Sequence, residues 1–375
     1  MRIALLTYST RPRGGVVHTL ALAEALAALG GRVEVWSLAR GGDHGFFRSV
    51  DPSVAVRLVP FPEVEGESVG QRILRSIDAL ASAFDPVGFD IVHAQDCITA
   101  NAVPRCVRTI HHLDTFTTGE LIACHERAIV RPYAHVCVSG SVAAEVEAGW
   151  GIRATVIPNG VQADRFAAAA SSSLAARGAR RQWADQLGDY VLSLGGIEPR
   201  KGTCDLMEAM AQVRSARPDL KLVIGGGETL FDYRDYRESV LQRARELDVQ
   251  PILLGPVDHD RVPALVAAAD VFAFPSVKEG FGLAAMEALA AGVPVVMRDL
   301  PVLREVFGNA AVFADSPSTL ATAILDAAGV RDHRRSRYGQ DLAAAHTWTS
   351  VARAHLAFYR TLTSVGPARA PSYPA

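Results

Sequence analysis

The sequence predicts a doubly wound α/β architecture, laid down twice along a chain of 375 residues. Three observations carry that expectation. Short apolar, strand-like runs alternate with helix-forming runs along nearly the whole chain. Glycines follow several strand runs, at Gly14-Gly15, Gly195-Gly196 and Gly225-Gly226-Gly227, where a ligand meets a sheet of this kind. The alternation is broken once, at residues 166–185, a low-complexity stretch of Ala, Ser and Arg that reads as a connector.

Arg2 to Tyr8 reads as the first strand. After a glycine-containing loop, Ala and Leu at helical spacing from Val17 to Leu29 read as a helix closed by Gly30-Gly31. With the strand run Arg32–Leu38 this makes a βαβ unit, whose crossover favours a parallel sheet. Strand runs recur at Val54–Val59, Ile91–Ala94, Val107–Ile110, Val136–Ser139 and Thr155–Pro158, with helices at Val69–Phe84 and Val142–Gly149. The rhythm restarts at Tyr190–Gly195, followed by a helix to about Arg214. It continues through strand runs Leu220–Ile224, Pro251–Leu254, Val271–Phe274, Val293–Val296 and Ala311–Phe313, with helices over Tyr236–Leu247 and Val262–Ala268. The expected division is a domain 1–165, a linker 166–185 and a domain 186–345. A helix at about 350–364 is expected to pack back on the first domain, ahead of a disordered tail, 365–375.

Composition narrows the function. A hydrophobic content of 49% without a very long apolar run indicates a soluble, well-cored protein. The net charge of −2 argues against a general nucleic-acid binder. No leader-like opening precedes the first strand run, so cytoplasmic residence is expected. None of Cys97, Cys106, Cys124, Cys137 and Cys204 forms a C-x-x-C pair, which supports neither a zinc site nor a redox motif. Asp258-His259-Asp260 has the D-x-D form that holds metals on nucleotide diphosphates, but it precedes a helix and reads as a cap.

The stretch 275–294, PSVKEGFGLAAMEALAAGVP, carries the most chemistry. Gly280 and Gly282 break the backbone before a helix over Leu283–Ala291, leaving bare N–H groups at its positive end, a setting that suits a phosphate. Glu287 falls in the first two turns, where one carboxylate can accept from both hydroxyls of a ribose. Glu279, in the loop, is free to face a sugar. Gly14-Gly15 is not the G-x-G-x-x-G dinucleotide fingerprint, so hydride transfer loses its main support. The doublet His111-His112 lies at a strand's carboxyl end, in the ligand crevice, without showing which ring points inward.

These pieces together resemble the retaining glycosyltransferases of family 4, which have the two-domain GT-B fold. The resemblance covers nearly the whole chain: Gly14-Gly15, FDIVHAQD at 89–96, His111, VSGS at 138–141, VIPNGV at 156–161, GGIEPRKG at 195–202, VIGGGE at 223–228, LLGPV at 253–257, ADVFAFPS at 269–276 and the E-x(7)-E element from Glu279 to Glu287. It implies two Rossmann-like domains facing a central cleft, and a nucleotide-diphosphate-sugar donor with no other cofactor and no metal. Lys201 would contact the distal phosphate and Glu279 the sugar hydroxyls. The backbone from Gly280 through Phe281, Gly282 and Leu283 would hold the diphosphate, Glu287 the ribose and Val257 the base. Gly15 and His111 would face the diphosphate and the transferred sugar. One departure stands out. Many members have Gly-Arg where this chain has Gly195-Gly196, and Arg200 is the candidate substitute for that missing cation.

The implied chemistry is a front-face displacement in which the leaving phosphate helps deprotonate the incoming hydroxyl, unlike the paired carboxyls of glycoside hydrolases. The acceptor, whether small molecule, glycan or lipid, is not readable. A peripheral membrane contact through Phe46-Phe47-Arg48 and the Arg72/Arg75 helix is not favoured, since residues 1–166 hold 15 Arg, no Lys and 17 Asp plus Glu. A non-catalytic nucleotide-sugar binder and a GT-B-like epimerase are the alternatives.

Overall fold

The computed structural model describes residues 1–113, 116, 119–227, 233–330 and 332–364. Over these residues the chain divides into two units, Met1–Gly160 joined by the segment from Trp348, and Val161–Thr347.

The first unit contains β1 (Arg2–Leu6), α1 (Gly14–Ala28), β2 (Arg32–Arg40), β3 (Ala55–Phe61), α2 (Val69–Ala83), β4 (Ile91–Ala94) and α3 (Cys97–Ala102). It continues with β5 (Val107–Ile110), α4 (Gly119–Val130), β6 (Ala134–Cys137), α5 (Gly140–Trp150) and β7 (Thr155–Val156). Its strands are all parallel, in the order β3-β2-β1-β4-β5-β6-β7.

The second unit opens with α6 (Ala163–Ala170), α7 (Leu174–Leu187), β8 (Tyr190–Leu194), α8 (Thr203–Ala216), β9 (Lys221–Gly225) and α9 (Arg234–Glu246). Then come β10 (Ile252–Gly255), α10 (Val262–Ala267), β11 (Val271–Phe274), α11 (Leu283–Ala290) and β12 (Val295–Arg298). It closes with α12 (Pro301–Phe307), β13 (Val312–Ala314), α13 (Pro317–Gly329) and α14 (His333–Ala345). The sheet is again parallel, in the order β10-β9-β8-β11-β12-β13. The last helix, α15 (Trp348–Ser364), belongs to the first unit and packs on α1.

A parallel sheet is covered on both faces, which is why its strands read as unbroken apolar runs. In β1, Ile3 and Leu5 enter one core with Val16, Leu20 and Tyr359, while Ala4 and Leu6 enter the opposite one with Phe84 and Ala100. Phe46 and Phe47, weighed above as a membrane contact, pack against the first of these cores. Arg48 pairs with Glu24 at 2.6 Å and Arg75 with Glu67 at 2.6 Å. Strand order reverses between β1 and β4 in one sheet and between β8 and β11 in the other, and crevices at such switch points take ligands.

The structure departs from expectation at the connector. Residues 166–185 are not an irregular linker; they lie in α6 and α7, which belong to the second unit. Ala and Arg are strong helix formers, Ser173 caps α7 by accepting from Ala176 N–H at 3.2 Å, and Phe166, Trp183 and Leu187 are buried. Low complexity concealed a helix pair anchored by three apolar side chains. Asp258 is not a helix cap either: its carboxylate accepts from Asp260 N–H at 2.8 Å, closing a turn before α10, whose start carries no side-chain cap. Helices α3, α4, α12, α13 and α14 went unread because they are short or weakly patterned. Asp114, Glu228 and the tail 365–375 lie outside the described residues.

Candidate functional site

In the second unit, the carboxyl ends of four neighbouring strands collect the predicted residues. After β8 the chain turns through Gly195 and Gly196 into a short 3₁₀ turn, Pro199–Lys201. Gly196 has φ +78°, and a Cβ there would lie 2.7 Å from Gly227 O. Position 196 can therefore hold no side chain without moving the backbone after β9. Gly202 (φ +63°) is tighter, since a Cβ would meet Pro275 O at 2.1 Å. This close approach locks the turn after β8 onto the loop after β11, where Val277 N–H donates to Arg200 O at 2.9 Å.

That lock brings Lys201 to Glu279. Nζ of Lys201 donates to Glu279 Oε2 at 3.1 Å and stands 5.1 Å from the centre of the Phe274 ring. Arg200 reaches the same carboxylate oxygen at 3.6 Å and holds Glu198 Oε2 at 3.1 Å. Burial lowers the Lys201 pKa, with Glu279 opposing. Two expectations change here. Glu279 is not free: both cations engage it. Arg200 and Lys201, though adjacent, do not diverge, because the 3₁₀ turn aims both at one carboxylate.

Gly282 (φ +98°) starts α11 with no side-chain cap, leaving the N–H groups of the first turn without intrahelical partners. Phe281 is buried and Gly280 N–H donates to Glu279 Oε1 at 3.4 Å. Glu287 lies in the second turn of α11, where burial pushes its carboxyl up to about 7 against the field of Arg165. Arg165, in α6, donates to the His259 carbonyl oxygen and pairs with Asp260 at 3.3 Å. No motif in the sequence marks Arg165, which sits in the stretch that looked like a connector. Val257 follows β10, with its side chain toward Gly225 at the end of β9.

In the first unit, Gly15 is in the opening turn of α1 and His111 follows β5. The His111 ring lies 3.6 Å from the place a Cβ of Gly15 would take, so of the doublet it is His111 that adjoins the glycine. Burial lowers the His111 pKa to about 3, and Arg108 and His112 add to the effect. Sequence reading missed what surrounds it. His18, fully buried in α1, meets His111 edge to face with ring centres 4.8 Å apart, and its Nδ1–H donates to Asn159 Oδ1 at 2.8 Å. Trp348 and His355 of α15 lie 5.3 and 6.2 Å from the His18 ring. His93 bridges Tyr359 Oη at 2.6 Å and Thr109 Oγ1 at 2.7 Å. The signal available was four histidines in separate strand-end or helical runs, and nothing in their spacing joins them.

Residues 12–165 match the family description "Glycosyltransferase Family 4", and residues 180–337 match "Glycosyl transferases group 1". A phosphatidyl-myo-inositol mannosyltransferase of Mycobacterium tuberculosis is 30% identical, over 98% of this chain and 98% of its own. A D-inositol 3-phosphate glycosyltransferase of Xylanimonas cellulosilytica is 28% identical with the same coverage of both chains. Among solved structures, sucrose-phosphate synthase from Thermosynechococcus elongatus superposes with a TM-score of 0.76 at 20% identity, covering 97% of this chain and 100% of that one. The glycosyltransferase WaaG gives 0.73 at 17% identity, covering 95% and 99%. The fold is therefore GT-B, and the chain belongs to the family 4 glycosyltransferases.

Proposed function

We propose that the protein moves a sugar, with retention and without a metal, from a nucleoside-diphosphate sugar to a hydroxyl acceptor. The observation that carries this reading is the convergence of Lys201 and Arg200 on Glu279, beside the uncapped start of α11. Both cations are held by a single carboxylate, so an entering diphosphate can take them over and release Glu279 to the sugar hydroxyls. Cleavage of the sugar–phosphate bond builds charge on the leaving diphosphate. Preset cations and helix N–H groups stabilise that charge more in the transition state than in the bound donor. The bond from anomeric carbon to phosphate oxygen breaks, the acceptor oxygen forms the new bond on the same face, and its proton passes to the departing phosphate.

A bound complex of HepE from Anabaena with UDP-glucose, a structure of the same fold with a TM-score of 0.71, supports the donor class. The named relatives act on phosphatidyl-myo-inositol and inositol 3-phosphate, which supports a hydroxyl-bearing acceptor. Among the described residues no helix is long and apolar enough to cross a membrane, and all five cysteines are free thiols, which suits a reducing compartment. The test is a thermal-shift screen of nucleoside diphosphates followed by transfer assays with the stabilising donor, with and without EDTA. A product of the donor's own anomeric configuration, formed at the same rate in EDTA, is expected. Stabilisation without transfer or hydrolysis would mark a binding protein instead.

A further inference from the structure

The first unit carries a buried cation that the donor chemistry does not use. Arg40 closes β2 with its guanidinium between two rings, 5.5 Å from the centre of Tyr8 and 5.5 Å from that of Phe61. One amino group makes a long contact to Ser76 Oγ at 3.4 Å, and its buried Nε has no hydrogen-bond partner. No carboxylate of the described residues forms an ion pair with it. The contrast with its neighbour is direct: Arg75 stacks on the same Phe61 ring at 3.8 Å, and Glu67 neutralises it at 2.6 Å. Carboxylates near Arg40 are engaged elsewhere. Glu67 holds Arg75, Asp43 accepts from Thr10 at 2.5 Å, and Asp96 accepts from the N–H groups of Tyr8 and Thr99 at 2.9 and 2.8 Å. A buried, unpaired guanidinium is costly unless an anion completes it.

A second observation points the same way. Gln95, one residue past β4 and only 1% exposed, has both ends of its side-chain amide without a partner. Its own N–H donates to Leu6 O at 3.0 Å, which places it beside the β1 end that carries Tyr8. Arg40 and Gln95 thus lie at the carboxyl ends of β2 and β4, two strands apart across β1, on the order of 10 Å. That is the span of a phosphorylated polyol, and it straddles the switch point. Burial and the neighbouring Arg72, Arg13 and Arg11 lower the Arg40 pKa to about 10, with Tyr8 opposing, so the guanidinium stays charged in a positive field.

We propose that Arg40 is the anion subsite of the acceptor, which is a polyol carrying a phosphate, with Gln95 taking its hydroxyls. The proposal rests on the transferase reading and deepens it by naming the acceptor's class. The phosphate can belong to a free monoester or to a lipid headgroup, and both bring the same oxygens to the guanidinium.

The experiment measures binding with a saturating nucleoside diphosphate present, so that the Lys201 site is filled. The soluble probes are inositol 3-phosphate and unphosphorylated inositol, by titration calorimetry. The lipid probe is phosphatidylcholine vesicles with and without phosphatidylinositol, by sedimentation. Wild-type protein is expected to bind one phosphorylated probe about tenfold or more tightly than its unphosphorylated control, with the preference shrinking at high salt. Arg40→Gln is expected to abolish that preference, Arg40→Lys to keep part of it, and Arg57→Gln on exposed β3 to leave it intact. Binding of the inositol phosphate locates a free monoester; binding only of the phosphatidylinositol vesicles locates a headgroup. Equal binding of phosphorylated and unphosphorylated probes by wild type overturns the proposal, whatever the variants do. So does a preference that survives in Arg40→Gln. Loss of nucleoside diphosphate binding with an intact, Arg40-dependent phosphate preference would instead sink the transferase reading and leave the anion site standing.

Discussion

At the switch point of the second unit, charge is buried by pairing: Lys201 and Arg200 share Glu279. At that of the first, polar groups are buried by staying neutral, since His18, His93, His111 and His355 all have pKa values pulled down, burial being the largest cause for each. The two sheets have the same handed, parallel construction, so the difference is not one of fold. A donor diphosphate brings its own negative charge and needs cations waiting for it. A site that meets sugar hydroxyls needs hydrogen-bonding groups without net charge. The lesson is that the same crevice is tuned by what is done with its protons.

The largest test of this contrast is Lys201→Ala. If the paired cations wait for the leaving group, turnover should drop by about two powers of ten or more at saturating donor. Arg200→Ala should approach that loss if Arg200 supplies the second cation; wild-type turnover in that variant would confine the role to Lys201.

Next comes position 196. Gly196→Arg restores the arginine common in relatives but demands φ near +78° and a side chain against Gly227 O. The cost is roughly 1–3 kcal/mol of stability, read as a lower denaturation midpoint. A variant as stable as wild type and more active would show that the cation belongs at 196 and that Arg200 is not its replacement.

The neutral array makes the first unit sensitive to acid. His355 is fully buried and burial lowers its pKa to about 4, whereas an unfolded histidine titrates near 6.5. Between those values the unfolded chain binds the extra proton, so the stability is whole above pH 6.5 and is lost as pH falls toward 4. By pH 5 this one imidazole removes roughly 2 kcal/mol. Denaturant titrations at pH 7 and pH 5 should show the loss, and His355→Leu should reduce it. Equal pH slopes in both proteins would mean the ring is not held neutral.

The smallest effect expected is at Glu287, a carboxyl in the otherwise ionic unit that titrates at about 7. Below that pH it is an acid and a poorer acceptor for ribose hydroxyls; above it, a carboxylate. Donor KM should therefore fall severalfold, on the order of one charged hydrogen bond, as pH rises from 6 to 8. Glu287→Gln should flatten that dependence while sparing kcat. Glu279→Gln should do the reverse and lower kcat. A pH-independent KM in wild type would remove Glu287 from the ribose.

Much of the second site was legible in the sequence because it is local. The two glutamates sit eight residues apart on one loop and helix, and glycines mark the bends that carry them. The strands could be read from apolar runs because a sheet covered on both faces admits little else. The helices α6 and α7 were hidden by low complexity, since helix propensity without an obvious apolar stripe looks like a connector until Phe166, Trp183 and Leu187 find their places.

By itself the sequence determined the repeated β–α rhythm, the turns that only glycine can make, and the residue types gathered at the strand ends. The tertiary structure alone decided their electrical state. Lys201 and Glu279 are far apart in the chain, and only the contact of Gly202 with Pro275 O brings them to 3.1 Å. Four histidines from α1, from β4, from the loop after β5 and from α15 become neutral because they are buried together, and Arg40 lacks a counterion because the nearby carboxylates are held by other groups. Burial and pairing are sums over neighbours from distant segments, and no local pattern of residues contains those sums.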